Sequence, residues 1–262
     1  MTEAAPRFRV LCVTAHPDDM EFGSAGTLAH WIDLGAHVTL ALVTDGSTGT
    51  QDPALMGEPL AAIRVEEQRR AAEVLGIQDV IFLGYRDGYV EYTLELRRDL
   101  ARVFRSVRPH RYVVMDPTPT IDDRFINHPD HRAVGLASLD VAMTAGTTPG
   151  HFPELLDEGL EPWRGLREVW IAGPAGGPVA VDISATIERK IAALGCHVSQ
   201  IGDDGLERVA AWVRERAAEQ GEPHGLSYAE TFRVISQGPG FHQGEQEDLG
   251  DALAEAPPDP RA

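Results

Sequence analysis

The sequence is short of cysteine, of basic residues and of long apolar runs, and each shortage removes a class of protein. Cysteine occurs only at Cys12, in an apolar strand-like run, and at Cys196, in a helix-like one, without the spacing of a metal knuckle or a redox pair. Both read as reduced core residues, since free cysteine commonly behaves as a small buried hydrophobe. Lys and Arg number 23 against 41 Asp and Glu, a formal net charge of −18. Nucleic acid and anionic membrane surfaces are therefore excluded as partners, because binding either needs clustered cations. No apolar stretch is long enough to span a bilayer, and residues 1–6 lack the basic segment and apolar run of a secretory signal. The expectation is a cytoplasmic protein.

What is present is ordinary for a globular chain: 262 residues, 43% hydrophobic and 24% charged. That length is compatible with one α/β domain around one large core. We place the domain at residues 1–237. From Gly238 the chain is Gly, Pro, acid and Gln with few large apolar residues, so residues 238–262 are expected to form an acidic, disordered tail.

Residues 8–14 are apolar, β-branched and few, which suits a buried parallel strand. A helical pattern over 27–34 stops at Gly35. Strand-like 37–43, helical 64–75 ending at Gly76, strand-like 80–83, helical 94–107 and strand-like 112–115 follow. Alternation of this kind predicts right-handed crossovers and a Rossmann-like three-layer α/β sandwich with a mainly parallel sheet. Past residue 145 the pattern loosens into Gly/Pro-rich 172–178 and helical stretches over 183–197 and 206–218. The turn after the first strand has no G-x-G-x-x-G, and its His-Pro-Asp-Asp would put negative charge where a pyrophosphate needs bare N–H groups, which disfavours a dinucleotide site.

Two polar clusters follow strands, where open parallel sheets place their ligands. In the first, His16 and Asp19 are three residues apart. A turn after Pro17 would aim imidazole and carboxylate at one metal ion and send Asp18 elsewhere; alternatively Asp18 or Asp19 caps the next helix. In the second, His128-Pro129-Asp130-His131 repeats the three-residue offset and leads into a helix that continues over 133–143, with His131 in its first turn and His128 just before it. Two of only ten histidines fall here. Two neutral nitrogens, one carboxylate and an open position for water make the expected pattern of catalytic zinc.

AHPDDMEFGSAGTLA from Ala15 and NHPDHRAVG from Asn127 resemble the two signature segments of the LmbE-like, or PIG-L, family of zinc N-deacetylases. Arg64-Val65-Glu66-Glu67, KIAALGCHVSQ over 190–200 and YAETFRV over 228–234 extend the likeness to residues 8 to about 235. The resemblance implies zinc ligation by His16, Asp19 and His131, Asp18 as general base and His128 facing the developing oxyanion. Fe²⁺ or Co²⁺ would suit the same mixed nitrogen and oxygen donors. Some relatives that act on sugar-linked thiol precursors carry tyrosine where this chain has Ile126.

Around that set, Asp130 reads either as the partner that holds the His128 ring and raises its pKa or as a helix N-cap. Arg64 reads as a ligand for a substrate hydroxyl, as the partner of a site carboxylate, or as a solvated helix residue. Asp87 reads as a partner for a sugar hydroxyl or as a turn former before Gly88. His197 reads as a helix residue packed near the site. The expected activity is removal of an N-acyl group, acetyl first, from a small amino-sugar-like or conjugate substrate. The rivals are an amidase taking a larger acyl group from a thiol conjugate and a non-catalytic ligand-binding α/β protein. Specificity is expected in loops 47–59 and 151–165, and a homo-oligomer is compatible with the sequence.

Overall fold

The computed structural model describes residues 8–121, 126–202 and 204–236; the N-terminal segment 1–6 and the acidic segment 238–262 lie outside the described residues. In chain order, β1 (Arg9–Thr14) leads through α1 (Asp19–Gly23) and α2 (Ala25–Asp33) to β2 (His37–Thr44). Then come α3 (Glu58–Leu75), β3 (Asp79–Tyr85), α4 (Leu94–Val107), β4 (Arg111–Met115) and α5 (Pro129–Asp140). The last third holds α6 (Glu154–Asp157), β5 (Glu168–Ala172), β6 (Val179–Asp182), α7 (Ile187–Leu194), α8 (Val198–Ile201), α9 (Leu206–Gly221) and β7 (Ala229–Ser236).

The strands form one seven-stranded sheet in the order β3-β2-β1-β4-β5-β7-β6. Neighbours from β3 to β5 are parallel, and β7 runs antiparallel to both β5 and β6. Alternate residues of each strand feed two cores. Val10, Cys12, Leu40, Val113 and Trp170 face α2, α3, α7 and α9, while Leu11, Val13, Val43, Tyr112 and Val114 face α4 and α5. Burial on both faces explains why the strands read as continuous apolar runs. The predicted three-layer α/β architecture is the one observed.

The strand order turns back between β1 and β4, so the chain leaves these neighbours in opposite directions. A crevice opens at their carboxyl ends, the usual ligand position of doubly wound sheets. Helix α5 sits close against this rim: a Cβ on Gly135 would lie 2.4 Å from the Met115 carbonyl oxygen. Only glycine lets α5 approach β4 that closely.

The first four strands lie within two residues of their predicted bounds, but the last third differs. The Gly/Pro-rich segment is the link between β5 and β6, two strands of four or five residues, too short for a period to show in sequence. The stretch 183–197 is not one helix, because α7 stops at Leu194 and His197 starts α8. The helix expected to carry His131 in its first turn, with His128 just before it, starts at Pro129, which supplies no N–H to a first turn that has no use for one.

His110 joins the starts of β1 and β4. Its Nδ1 accepts from the Arg9 N–H at 3.0 Å, and its ring stacks on Phe8 with centroids 5.1 Å apart. Burial, then the charges of Arg9, Arg167 and Arg108, lower its pKa from 6.5 to about 3. The unfolded chain therefore takes up a proton near pH 6.5 that the folded chain refuses. This contribution to stability is complete above pH 6.5 and declines as the pH falls toward 3, by about 1.4 kcal/mol per unit for one proton. Urea unfolding between pH 7.5 and 5 is expected to show a loss of about 2 kcal/mol from this group. His110→Asn, which keeps an acceptor for the Arg9 N–H, should flatten that slope; an unchanged slope would assign it to other groups.

Candidate metal centre

The turn after β1 determines the first half of the site. Asp18 sits at φ +91°, in left-handed backbone that costs a non-glycine residue about 1–2 kcal/mol. That bend folds Asp19 back on His16, whose backbone N–H donates to Asp19 Oδ2 at 2.7 Å. The carboxylate of Asp18 points elsewhere, toward the guanidinium of Arg64 at 3.1 Å. Neither acid caps α1 in the usual way: Asp18 is the capping residue, but its side chain makes no capping hydrogen bond.

Helix α5 brings the second half. His131 Nε2 lies 3.1 Å from His16 Nδ1 and 3.0 Å from Asp19 Oδ1, and His16 Nδ1 lies 3.2 Å from Asp19 Oδ2. Two ring nitrogens and a carboxylate thus converge from three directions. The two nitrogens lie at hydrogen-bond distance; with both deprotonated their lone pairs converge, the donor arrangement that a divalent cation satisfies. His128 stands beside them, its ring edge-on to His16 with centroids 4.7 Å apart. Ring nitrogens of His16, His128 and His131 lie within 4.8 Å of one another.

A second group of donors shares His16. Its Nε2 lies 3.1 Å from Asp87 Oδ1 and 3.3 Å from Asp130 Oδ2. These carboxylates address the nitrogen opposite the one facing Asp19 and His131, as in carboxylate–histidine–metal triads that fix the tautomer and aim the ring. Burial lowers the His16 pKa, but hydrogen bonds to Asp130, Asp19 and Asp87 outweigh it and raise the value to about 12. The surrounding field strongly favours positive charge.

The sequence readings of Asp130 need correction. The N-cap of α5 is His128, whose Nδ1 accepts from the Asp130 N–H at 3.3 Å. The Asp130 carboxylate instead reaches across to the loop after β3, accepting from Gly88 N–H at 2.8 Å and Val90 N–H at 3.2 Å, and to His16. Its Oδ1 is 3.9 Å from His128 Nδ1, so it holds His16 rather than His128. Nor is the His128 pKa raised: partial burial holds it below the ordinary histidine value. Asp87 is buried, and its second oxygen accepts from Thr48 N–H at 3.0 Å. With the side chain buried and its oxygens turned to His16 and Thr48, Asp87 is placed as a clamp on His16 rather than facing a sugar hydroxyl.

Arg64 is buried, with hydrogen bonds to Pro17 O, to Asp18 and to Gly46 O. Of its three sequence readings, the partner of a site carboxylate is the one seen. Burial raises the Asp18 pKa, Arg64 opposes this and Asp19 adds to it, leaving a value of about 7. His197 is fully buried, with Nε2 3.6 Å from Glu21 Oε1. Ile126 is exposed and bridges Ile121.

Gln68 escaped the sequence reading. Its Oε1 accepts from Asp18 N–H at 3.1 Å and its Nε2 donates to Glu21 Oε1 at 2.6 Å. The signal was available: Arg64, Glu67 and Gln68 lie on one face of α3 between buried Leu60 and buried Ala71, Ala72 and Leu75, so the middle of a core-facing stripe is polar.

Comparison with known proteins adds independent information. A family model described as "PIG-L: GlcNAc-PI de-N-acetylase" matches residues 11–142. Diacetylchitobiose deacetylase of Thermococcus kodakarensis is 34% identical over 227 residues, 87% of this chain and 83% of that protein. The 1D-myo-inositol 2-acetamido-2-deoxy-alpha-D-glucopyranoside deacetylase of Salinispora arenicola is 30% identical, covering 90% of this chain and 88% of its own. The solved structure of N,N'-diacetylchitobiose deacetylase from Pyrococcus horikoshii superposes with a TM-score of 0.80 at 33% identity, over 92% of this chain and 88% of that one.

Proposed function

The chain belongs to the PIG-L family of GlcNAc-PI de-N-acetylases, and we infer from this that it is a zinc N-deacetylase acting on a small N-acetylated amino sugar or its conjugate. The relatives' substrates, diacetylchitobiose and an acetamido-deoxyglucopyranoside of inositol, both carry the acetyl on the amine of a glucosamine unit. The observation that carries the reading is the convergence of His16 Nδ1, Asp19 and His131 Nε2 beside a carboxylate kept off that cluster. Loops 47–59 and 151–165 are the proposed seat of specificity among amino sugars, and the enzyme is proposed to work in the cytoplasm.

In this reading His16, Asp19 and His131 hold the ion. When bound, zinc supplies acidification of water and polarisation of the amide carbonyl. Fe²⁺ or Co²⁺ fits the same donors. Asp18 accepts the proton of the attacking water and passes it to the departing amine; a carboxyl near pH 7 serves both directions. Arg64 and Gln68 fix its position, Arg64 through the carboxylate and Gln68 through the backbone N–H. His128 faces the oxyanion as a neutral imidazole. Its Nδ1 is occupied as an acceptor, which leaves Nε2–H as the donor that strengthens as the carbonyl turns tetrahedral.

Asp87 and Asp130 keep His16 aimed. Asp130→Asn places an amide where the native carboxylate accepts from Gly88, Val90 and His16. The expected result is a roughly 10–100-fold weaker zinc affinity with the three donors intact, read by competition with a chromophoric chelator; unchanged affinity would remove Asp130 from the site.

The function is tested by acetate release from N-acetylglucosamine, diacetylchitobiose and glucosaminyl conjugates, with zinc content measured on the same protein. Turnover of at least one, dependent on metal, is expected. A zinc-loaded protein inert on all of them would overturn the reading.

A further inference from the structure

The segment His197-Val198-Ser199-Gln200 closes the stretch KIAALGCHVSQ, and nothing in the proposed mechanism uses it. It turns off the end of α7, where the His197 N–H donates to Leu194 O at 3.0 Å, and packs α8 against α3. Ser199 fixes that contact: its N–H donates to Glu67 Oε1 at 2.7 Å and its hydroxyl to Glu67 Oε2 at 2.6 Å. Glu67 and Gln68 are both buried on α3, so the turn is tied to the helix that carries Gln68.

Behind Asp18 the molecule buries two groups that are costly to bury. Glu21 and His197 are both fully inaccessible. Glu21 Oε1 accepts from Gln68 Nε2 at 2.6 Å, and His197 Nε2 stands 3.6 Å from the same oxygen. Among the described residues, Glu21 Oε2 and both ring nitrogens of His197 have no hydrogen-bond partner. Apolar residues of the same volume would serve the core at least as well. The pair therefore calls for an explanation other than stability.

Gln68 supplies one. A carboxamide has a donor end and an acceptor end, and a carboxylate takes only donors. The carboxylate of Glu21 draws the NH₂ of Gln68 and so turns its oxygen to the Asp18 N–H, which donates to it at 3.1 Å. That N–H belongs to the left-handed bend at φ +91° that parts Asp18 from Asp19. The strain of such a bend and the worth of one hydrogen bond are of the same order, so losing this contact lets the bend relax. We propose that Glu21 and His197 are positioning residues for Asp18, acting through Gln68 to hold its carboxylate off the metal donors. The proposal rests on the deacetylase reading, in which Asp18 moves the proton, and extends the machinery to a distant turn of the chain.

His197→Met keeps the bulk and removes the donor. It is expected to lower kcat on N-acetylglucosamine substrates by about 10–100-fold, as a displacement of about 1 Å at a reacting group does, with KM and zinc affinity within about threefold of wild type. His197→Gln, whose amide nitrogen reaches the place of Nε2, should recover most of that loss. Gln68→Met should lose as much, and the double variant no more than Gln68→Met alone, because one path carries both effects. Independently of turnover, the Asp18 amide proton should exchange with solvent about tenfold faster or more in His197→Met than in wild type, measured by NMR on the zinc-loaded protein. Should His197→Met fail to fold, Glu21→Gln, which keeps the shape and removes the charge, takes its place in both measurements. Wild-type kcat or wild-type protection of the Asp18 amide in the folded variant overturns the proposal. So do losses that multiply in the double variant, or a zinc affinity that falls as far as kcat, which would make the pair a support of the metal site. If every amide is inert with zinc bound, the deacetylase reading falls, and the Asp18 exchange rate alone decides the positioning.

Discussion

Asp18→Asn is expected to fold normally, to keep its metal and to lose turnover by about 10²–10⁴-fold, the usual contribution of a positioned proton acceptor. Asparagine tolerates the left-handed backbone that this position requires at φ +91°. Its amide oxygen can still accept from Arg64, and the bond from its N–H to Gln68 involves the backbone alone. What disappears is the basic oxygen. Stability should not suffer: burial raises the Asp18 pKa to about 7, so the ionised carboxylate destabilises the folded state above its ordinary value and an amide does not. For the same reason wild-type turnover should fall as the pH drops through the pKa of this carboxyl, and the residual activity of the variant should lack that acidic limb. Zinc analysis, thermal unfolding and a pH profile on one preparation check all three expectations. Near-normal turnover in zinc-loaded Asp18→Asn would transfer the base role to another residue.

Chelation is expected to take turnover to background, and stoichiometric zinc to restore it. His131→Ala is expected to lose activity by at least about 10³-fold without rescue at micromolar zinc, because a two-donor site cannot hold an ion that activates water. The histidine lies on the first turn of α5, a quarter exposed, so its truncation opens no core cavity. Circular dichroism should therefore match wild type. The contrast with Asp18→Asn is diagnostic: one variant keeps metal without chemistry, the other loses both. Activity that survives exhaustive chelation would remove the metal from the mechanism.

Much of this arrangement is legible in the residues. The apolar runs of β1, β2 and β4 imply a parallel sheet, and His16, Asp19 and His131 stand out because two histidine-acid clusters follow strands. The short strands β5 and β6 are not legible, because four or five residues carry no reliable period. Gln68 and Glu21 are missed because a polar residue on a helix reads as solvated until its face is known to be buried.

Order of residues along the chain is enough to set the elements flanking the site, the chemical types of the donors and, through Pro17 and the run of acids behind it, a turn that separates Asp18 from Asp19. These are local properties, carried by neighbours along the chain. The partners are set only by packing: Asp130 and Asp87 clamp His16 rather than serve His128 or a sugar, Arg64 turns inward to Asp18, and a cavity lies against Asp19 and His131. Each depends on side chains from elements tens of residues apart meeting at the rim between β1 and β4. The energy of such a contact comes from burial and electrostatics at the meeting point, and a residue's neighbours in sequence carry no record of it.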